Sequence, residues 1–448
     1  MFDAHQSQLL NDQHDANDRI AAEAAAAASR RSFMATAASS LLGVTTFSTL
    51  ASASAGQVAA AQSGPRRGAK HIIYLFMNGA MSHLDTFDPK VGVEEAGETK
   101  ATQTRVPGIQ FSERLPKLSY LAGALGVVRS LTTETGAHEQ GRYLMRTAYK
   151  QINSIQHPGM GAWMIESQGR ISRALPGNYL IGSDNRHPGS GFLSPSFSPV
   201  PVANPSGGLQ NTKLPGYLKD QHFDARLKLA RKFDVKFRGA HKNTEVLAYD
   251  QMYEEARKLM SSEDLKVFDL KEEPEKVRET YGQNTLGQGC LLARRLVQKG
   301  ARFVEVNYGG WDMHQNLYES LDTKAQHLDD ALSSLLRDLN SKGLLRETMV
   351  VVATEFGRTP KINENAGRDH HPGVFCGLMA GAGIRGGQVI GASDAKGFSV
   401  DEYGVTPADF NKTIAAAAGL PLDKEFYAPN GRPFKIGHDG ETIDELLL

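Results

Sequence analysis

Five separated stretches of the chain carry residue types able to do chemistry. They read Asn78-Gly79-Ala80-Met81-Ser82-His83, Ala137-His138-Glu139, Trp311-Asp312-Met313-His314, Glu355-Phe356-Gly357-Arg358 and Arg368-Asp369-His370-His371. Carboxylate oxygen and neutral imidazole nitrogen are the ligand types taken by divalent transition metals. Asp312, His314, Glu355 and the pair His370-His371 are the candidates for that work. Arg358 and Arg368 offer planar guanidinium forks for an anionic substrate group, with Ser82 and His83 as further substrate-side candidates. His138 and Glu139 stand near a helix start, where the helix dipole favours an anion or a nucleophile. Each group also has a plain structural alternative. Asp312 could cap the next helix, Glu355 could pair with Arg358, and His370-His371 could be a solvated loop pair.

These residues follow strands. Continuous apolar runs at 71–77, 301–307, 348–354 and 374–380 predict buried strands of a parallel sheet covered by helices on both faces. A shorter run at 127–129 precedes His138. Apolar positions 317, 321, 325, 328, 332, 335 and 339 form one stripe on a long helix, and 286–297 predicts the helix before it. Strand, helix and strand in this order imply right-handed crossovers. In such a sheet the ligand crevice lies at the carboxyl ends of the strands. The five stretches meet there if their strands are neighbours.

From 185 to 275 the pattern changes to Pro, Gly and Ser and then to charged helical stretches at 225–237 and 245–260. This predicts a cap-like insertion. Residues 70–448 otherwise read as one α/β domain.

Lys+Arg and Asp+Glu are 50 each, so the chain lacks the basic excess of a nucleic-acid binder. No apolar run is long enough for a polytopic membrane protein. Residues 1–69 read as an address: Arg30-Arg31, an apolar stretch at 35–50, then Ala51-Ser52-Ala53 and a linker. That order resembles a twin-arginine export signal, predicting a periplasmic or secreted protein with no membrane domain once the signal is removed. Two cysteines exclude a disulfide scaffold. Cys290 and Cys376 both read as small buried hydrophobes, with a disulfide between them as the alternative.

Together, the stretches 75–90, 138–147, 291–314, 355–360, 367–371 and 386–392 resemble the exported bacterial family catalogued as domain of unknown function 1501. The resemblance implies the alkaline phosphatase-like, sulfatase-like fold. By that likeness, Asp312 and His314 match an Asp/His metal pair, Glu355 falls where an Asp ligand is expected, and His370 or His371 supplies the last His. Asn78 stands where the first strand ends in a metal-binding Asp. His138 stands at the nucleophile position, without a hydroxyl, and Phe356 where related mutases have a His.

Three functions follow as expectations: a metal-dependent hydrolase of a small-molecule or glycan sulfate or phosphate ester, a non-catalytic binding or surface-assembly protein retaining the fold, and a metal-dependent isomerase or transferase. The ion would be Zn, Mn, Ca or Mg, with no ion at all as the alternative.

Overall fold

The computed structural model describes residues 68–210, 212, 220–240, 259–260 and 262–448. The export signal lies outside the described residues, as does nearly all of the helix expected at 245–260.

The body is built on an eight-stranded sheet. Its strands are β1 (His71–Met77), β2 (Leu125–Leu131), β3 (Asn178–Ile181), β4 (Val200–Val202), β5 (Phe303–Tyr308), β6 (Thr348–Ala353), β7 (Phe375–Gly381) and β8 (Gln388–Ile390). Their order across the sheet is β8-β2-β7-β6-β1-β5-β3-β4. All seven residues of β1 are buried. Successive side chains of a strand point to opposite faces, and β1 shows the consequence. Ile73, Leu75 and Met77 pack into one apolar cluster, and Ile72, Tyr74 and Phe76 into another.

The first cluster is covered by α3 (Thr285–Gln298) and α4 (Leu317–Ser341), through Leu286, Leu291, Leu328 and Leu332. The second is covered by α2 (Met160–Gln168) and α5 (Pro407–Ala417), through Trp163, Phe410 and Ile414. The result is three layers with a mostly parallel sheet between helices, the expected fold class. The stripe expected on the long helix is buried at all seven positions.

Two expectations need correction. β7 is antiparallel to both of its neighbours, β6 and β2. No helix separates β6 from β7, and parallel strands need a crossover of a dozen or more residues, usually helical. The chain therefore turns and runs back. Secondly, Val200–Val202, inside the stretch read as a cap, pairs in parallel with β3 as the sheet's edge strand. Pro201 is tolerated there because an edge strand can lack one donor. Cys290 and Cys376 are free and buried, on α3 and β7 respectively, and burial pushes both thiols up.

One buried charge network ties helix to sheet. Arg146, on α1 (His138–Thr147), meets Glu305 of β5 at 2.6 Å and Asp184 at 2.7 Å, and His187 reaches the other Glu305 oxygen at 3.1 Å. Burial alone would raise the Glu305 carboxyl, but Arg146 and then His187 outweigh it and hold it at about 2. A carboxyl depressed in the folded state stabilises above its unfolded value, about 4.3, and loses that contribution as pH falls through about 2. Glu305→Gln is expected to cost about 3 kcal/mol at neutral pH, the scale for breaking a buried pair. It should also flatten the acid limb of a thermal-melt series. A variant melting like the parent across that limb would show the network to be inert.

Candidate functional site

The three adjacent strands β6, β1 and β5 end in register, with Phe76 opposite Ala353 and Met77 opposite Tyr308. The next residues of each strand therefore emerge side by side. Gly79 allows a close approach. It lies at φ +114°, and a Cβ there would come within 2.6 Å of the Asp312 backbone nitrogen. Its N–H donates to Glu355 Oε1 at 2.9 Å, and its carbonyl accepts from Arg358 at 2.5 Å. One glycine thus joins three of the five stretches. α1 brings the fourth, since His138 is its first residue. The short hairpin of Gly357–Arg358 and His370–His371 brings the fifth.

Three imidazoles meet one carboxylate at this point. His138 Nε2 lies 3.2 Å from Asp312 Oδ2. His314 and His370 Nε2 lie 3.1 and 3.3 Å from Asp312 Oδ1, and 3.0 Å from each other. The opposite nitrogen of each ring is held. His138 Nδ1 faces Glu355 Oε1 at 2.7 Å, His314 Nδ1 faces Asp369 at 2.8 Å, and His370 Nδ1 faces the Gly136 carbonyl at 2.7 Å. Those three partners only accept, so in the neutral rings each Nδ1 carries the proton and each Nε2 a lone pair.

Arg358 donates to Asp312 Oδ1 and, at 3.3 Å, to His314 Nε2, so the lone pairs of His138 and His370 face the carboxylate with no donor between them. His138 Nε2 is buried without a hydrogen-bond partner. Metal-bound histidines are held in this way, with the other ring nitrogen on a carboxylate or carbonyl. His138, Asp312 and His370 each place a ligand atom within 4.8 Å of the others. Bonds of 2.0–2.1 Å in a tetrahedron separate ligands by roughly 3.4 Å. The residues present fit a divalent ion.

The electrostatics are mixed. Burial opposes the Asp312 charge, but the hydrogen bond and charge of Arg358, and then His138 and His370, hold its carboxyl at about 2. Burial, with Arg358 adding to it, lowers His370, which favours the neutral, ligating ring. Phe356 closes one side, with ring centroids 5.1 Å from His138 and 4.9 Å from His370.

Other expected site residues are placed differently. Glu355 stands behind His138 as its hydrogen-bond acceptor, fully buried, instead of facing the cluster. Arg358 is 1% exposed and already bonded to Gly79, Ala80, the Arg368 carbonyl and Asp312, so its fork is not open to a substrate anion. Arg368 is wholly buried against Asp85 at 2.8 Å, and Ser82 donates to the same Asp85 at 2.5 Å. Both belong to the fold. His83 is buried on the Gly397 carbonyl, and His371 turns away to the Phe398 carbonyl. Glu139 is exposed and pairs with Arg186. Asn78 accepts from Arg142 at 3.2 Å.

Sequence reasoning does not single out Arg142, Asp369 or the Gly136 carbonyl. Asp369 carries a readable signal, a carboxylate next to His370. A carbonyl carries none. The other Arg142 contact is to the His138 carbonyl at 3.1 Å, so its side chain spans the start of α1 and the end of β1.

No curated protein matches the chain. Among solved structures it is similar to a sulfatase from Pseudoalteromonas sp., at 12% identity over 79% of this chain and 68% of that one, with a TM-score of 0.35. It is also similar to alkaline phosphatase from the Antarctic bacterium TAB5, at 11% identity over 79% and 99%, TM-score 0.34. A third is the C-terminal periplasmic domain of EcEptC from Escherichia coli in complex with Zn, at 10% identity over 80% and 84%, TM-score 0.37. The family described as "Protein of unknown function (DUF1501)" matches residues 69–447, and the chain belongs to it.

Proposed function

We propose that the protein is an exported, metal-dependent hydrolase of a sulfate or phosphate ester. The observation that carries this reading is the convergence of imidazole Nε2 lone pairs on Asp312, each ring oriented through its Nδ1. His138, Asp312 and His370 would hold the ion. When bound, a divalent cation supplies Lewis-acid polarisation and a lowered water pKa. His314, held by Asp369 and half-exposed, is the proton-transfer group. Its Nε2 accepts a proton while the Asp369 carboxylate stabilises the imidazolium. Arg142, beside Asn78, is the guanidinium placed to meet the ester anion. Export rests on the paired arginines and the segment after them. No described helix is long and apolar enough to cross a membrane.

A second reading, a binding protein that retained the fold, is favoured by one observation. Arg358 already neutralises Asp312, a role a cation would otherwise fill. Elemental analysis separates the two. The hydrolase reading expects about one Zn or Mn per chain and turnover on an aryl sulfate or aryl phosphate, reduced about a hundredfold or more by His314→Ala. Metal-free protein that stays inert on both panels after Zn or Mn is added would leave the binding reading.

A further inference from the structure

Arg358 holds a set of acceptors that a metal ion would also take. A guanidinium has five N–H donors, and here each has a partner. Nε donates to the Ala80 carbonyl at 3.0 Å. One terminal nitrogen donates to the Arg368 carbonyl at 3.0 Å and to His314 Nε2 at 3.3 Å. The other donates to the Gly79 carbonyl at 2.5 Å and to Asp312 Oδ1. Three carbonyl oxygens, a carboxylate oxygen and an imidazole nitrogen thus surround one buried cation. Oxygen ligands of these kinds take Ca, Mg and Mn, and imidazole takes the transition metals. The three carbonyls are backbone groups, from the turn after β1 and from the segment before the His370–His371 strand. They fix the place whatever occupies it.

Asp312 divides the crevice between two cations. Its Oδ1 belongs to Arg358, while its Oδ2 faces His138 Nε2 at 3.2 Å. An ion held by His138, Asp312 and His370 would share that carboxylate with the guanidinium. Centres that hold two ions set them about 3.5–4 Å apart, a spacing that one carboxylate can bridge. In this chain a side chain fills the second place. Its charge is permanent, because an arginine keeps its proton inside a protein. It also repels a divalent ion on the other oxygen.

A plain structural arginine, tying the β1 turn to the hairpin, would make many of the same contacts. The two roles differ in sign. Cutting a structural tie loosens the ligands and weakens ion binding. Removing a competing cation returns the whole Asp312 charge to the ion and tightens it. We infer that Arg358 plugs a second cation site, formed by the Gly79, Ala80 and Arg368 carbonyls, Asp312 Oδ1 and His314 Nε2, and so limits the centre to one exchangeable divalent ion. This rests on the metal reading above for the first ion, and adds the number of ions and the residue that sets it.

The probes are Zn and Mn, counted per chain by native mass spectrometry on the full chain, with affinity read by competition with a chelator. The parent is expected to saturate at one ion. Arg358→Gln removes the charge and keeps a polar side chain in the shell. It should still hold one ion, bound about tenfold or more tighter than in the parent, since the repulsion is gone. Arg358→Ala empties the shell and should take a second Mn, with a melt that Mn raises by more than it raises the parent's. Arg358→Lys keeps the charge and should stay at one ion. If Arg358→Ala does not fold, Arg358→Gln decides. A parent that takes two ions overturns the inference and leaves the metal reading standing. So does an Arg358→Gln chain that holds its ion no tighter than the parent, or a folded Arg358→Ala chain that stops at one. A parent that binds neither metal is a different failure, and removes the metal reading itself along with this inference.

Discussion

Asp312→Asn is expected to strip the protein of its metal and to lower ester turnover by about a thousandfold, the scale for losing one preorganised electrostatic element. Asparagine keeps the shape and an oxygen where Arg358 donates to Oδ1. The buried guanidinium therefore keeps a partner, and the fold is not the quantity being tested. What disappears is the negative charge toward which three Nε2 atoms converge, at 3.1 to 3.3 Å. His370→Ala, which removes one nitrogen and leaves the charge, is the companion variant. Both should show less than a tenth of the parent's metal per chain after dialysis, with melts close to the parent. Full metal content in Asp312→Asn would place the ion elsewhere and end the assignment.

The strands beneath this site were legible because their burial is written as continuous apolar sequence. β1, β5 and β6 bury both faces, and each run ends where a polar loop begins. Direction was not legible. Hydrophobic period says that 374–380 is a strand, but the sense in which it runs depends on whether a crossover helix precedes it. The site was legible to the same depth. Ligand-type residues after three strand ends marked the crevice, and His138, Asp312, His314 and His370 do gather there.

Which neighbours turn inward was not legible. His370 and His371 are consecutive on a short strand, so their side chains leave on opposite faces, and only one can enter the cluster. Arg368 looks like an anion clamp until Asp85, 283 residues away in sequence, is found beside it. A guanidinium in a loop motif reads the same whether it faces solvent or a buried carboxylate.

Glu355 is the clearest case, and it carries the second large effect. In sequence it reads as a ligand. In space it accepts from Gly79 and His138 through Oε1, at 2.9 and 2.7 Å, and its Oε2 lies 3.2 Å from the Thr354 hydroxyl. A carboxylate behind a metal-bound imidazole raises its basicity and fixes its tautomer, and losing such a partner weakens metal binding roughly 10–100-fold. Glu355→Gln isolates the charge. The glutamine oxygen can keep the Gly79 and His138 bonds, and its amide can donate to the Thr354 hydroxyl, which already donates to the Met77 carbonyl at 2.7 Å. The melt should therefore move little while metal affinity, read by competition with a chelator, falls about 10–100-fold. Glu355→Ala removes the orientation as well. It should bind metal more weakly still and melt lower, since Gly79 N–H loses its acceptor inside the body. Parent-like affinity in Glu355→Gln would mean that the charge does nothing for the ring it touches. Glu355 would then serve His138 only as an acceptor that orients the ring.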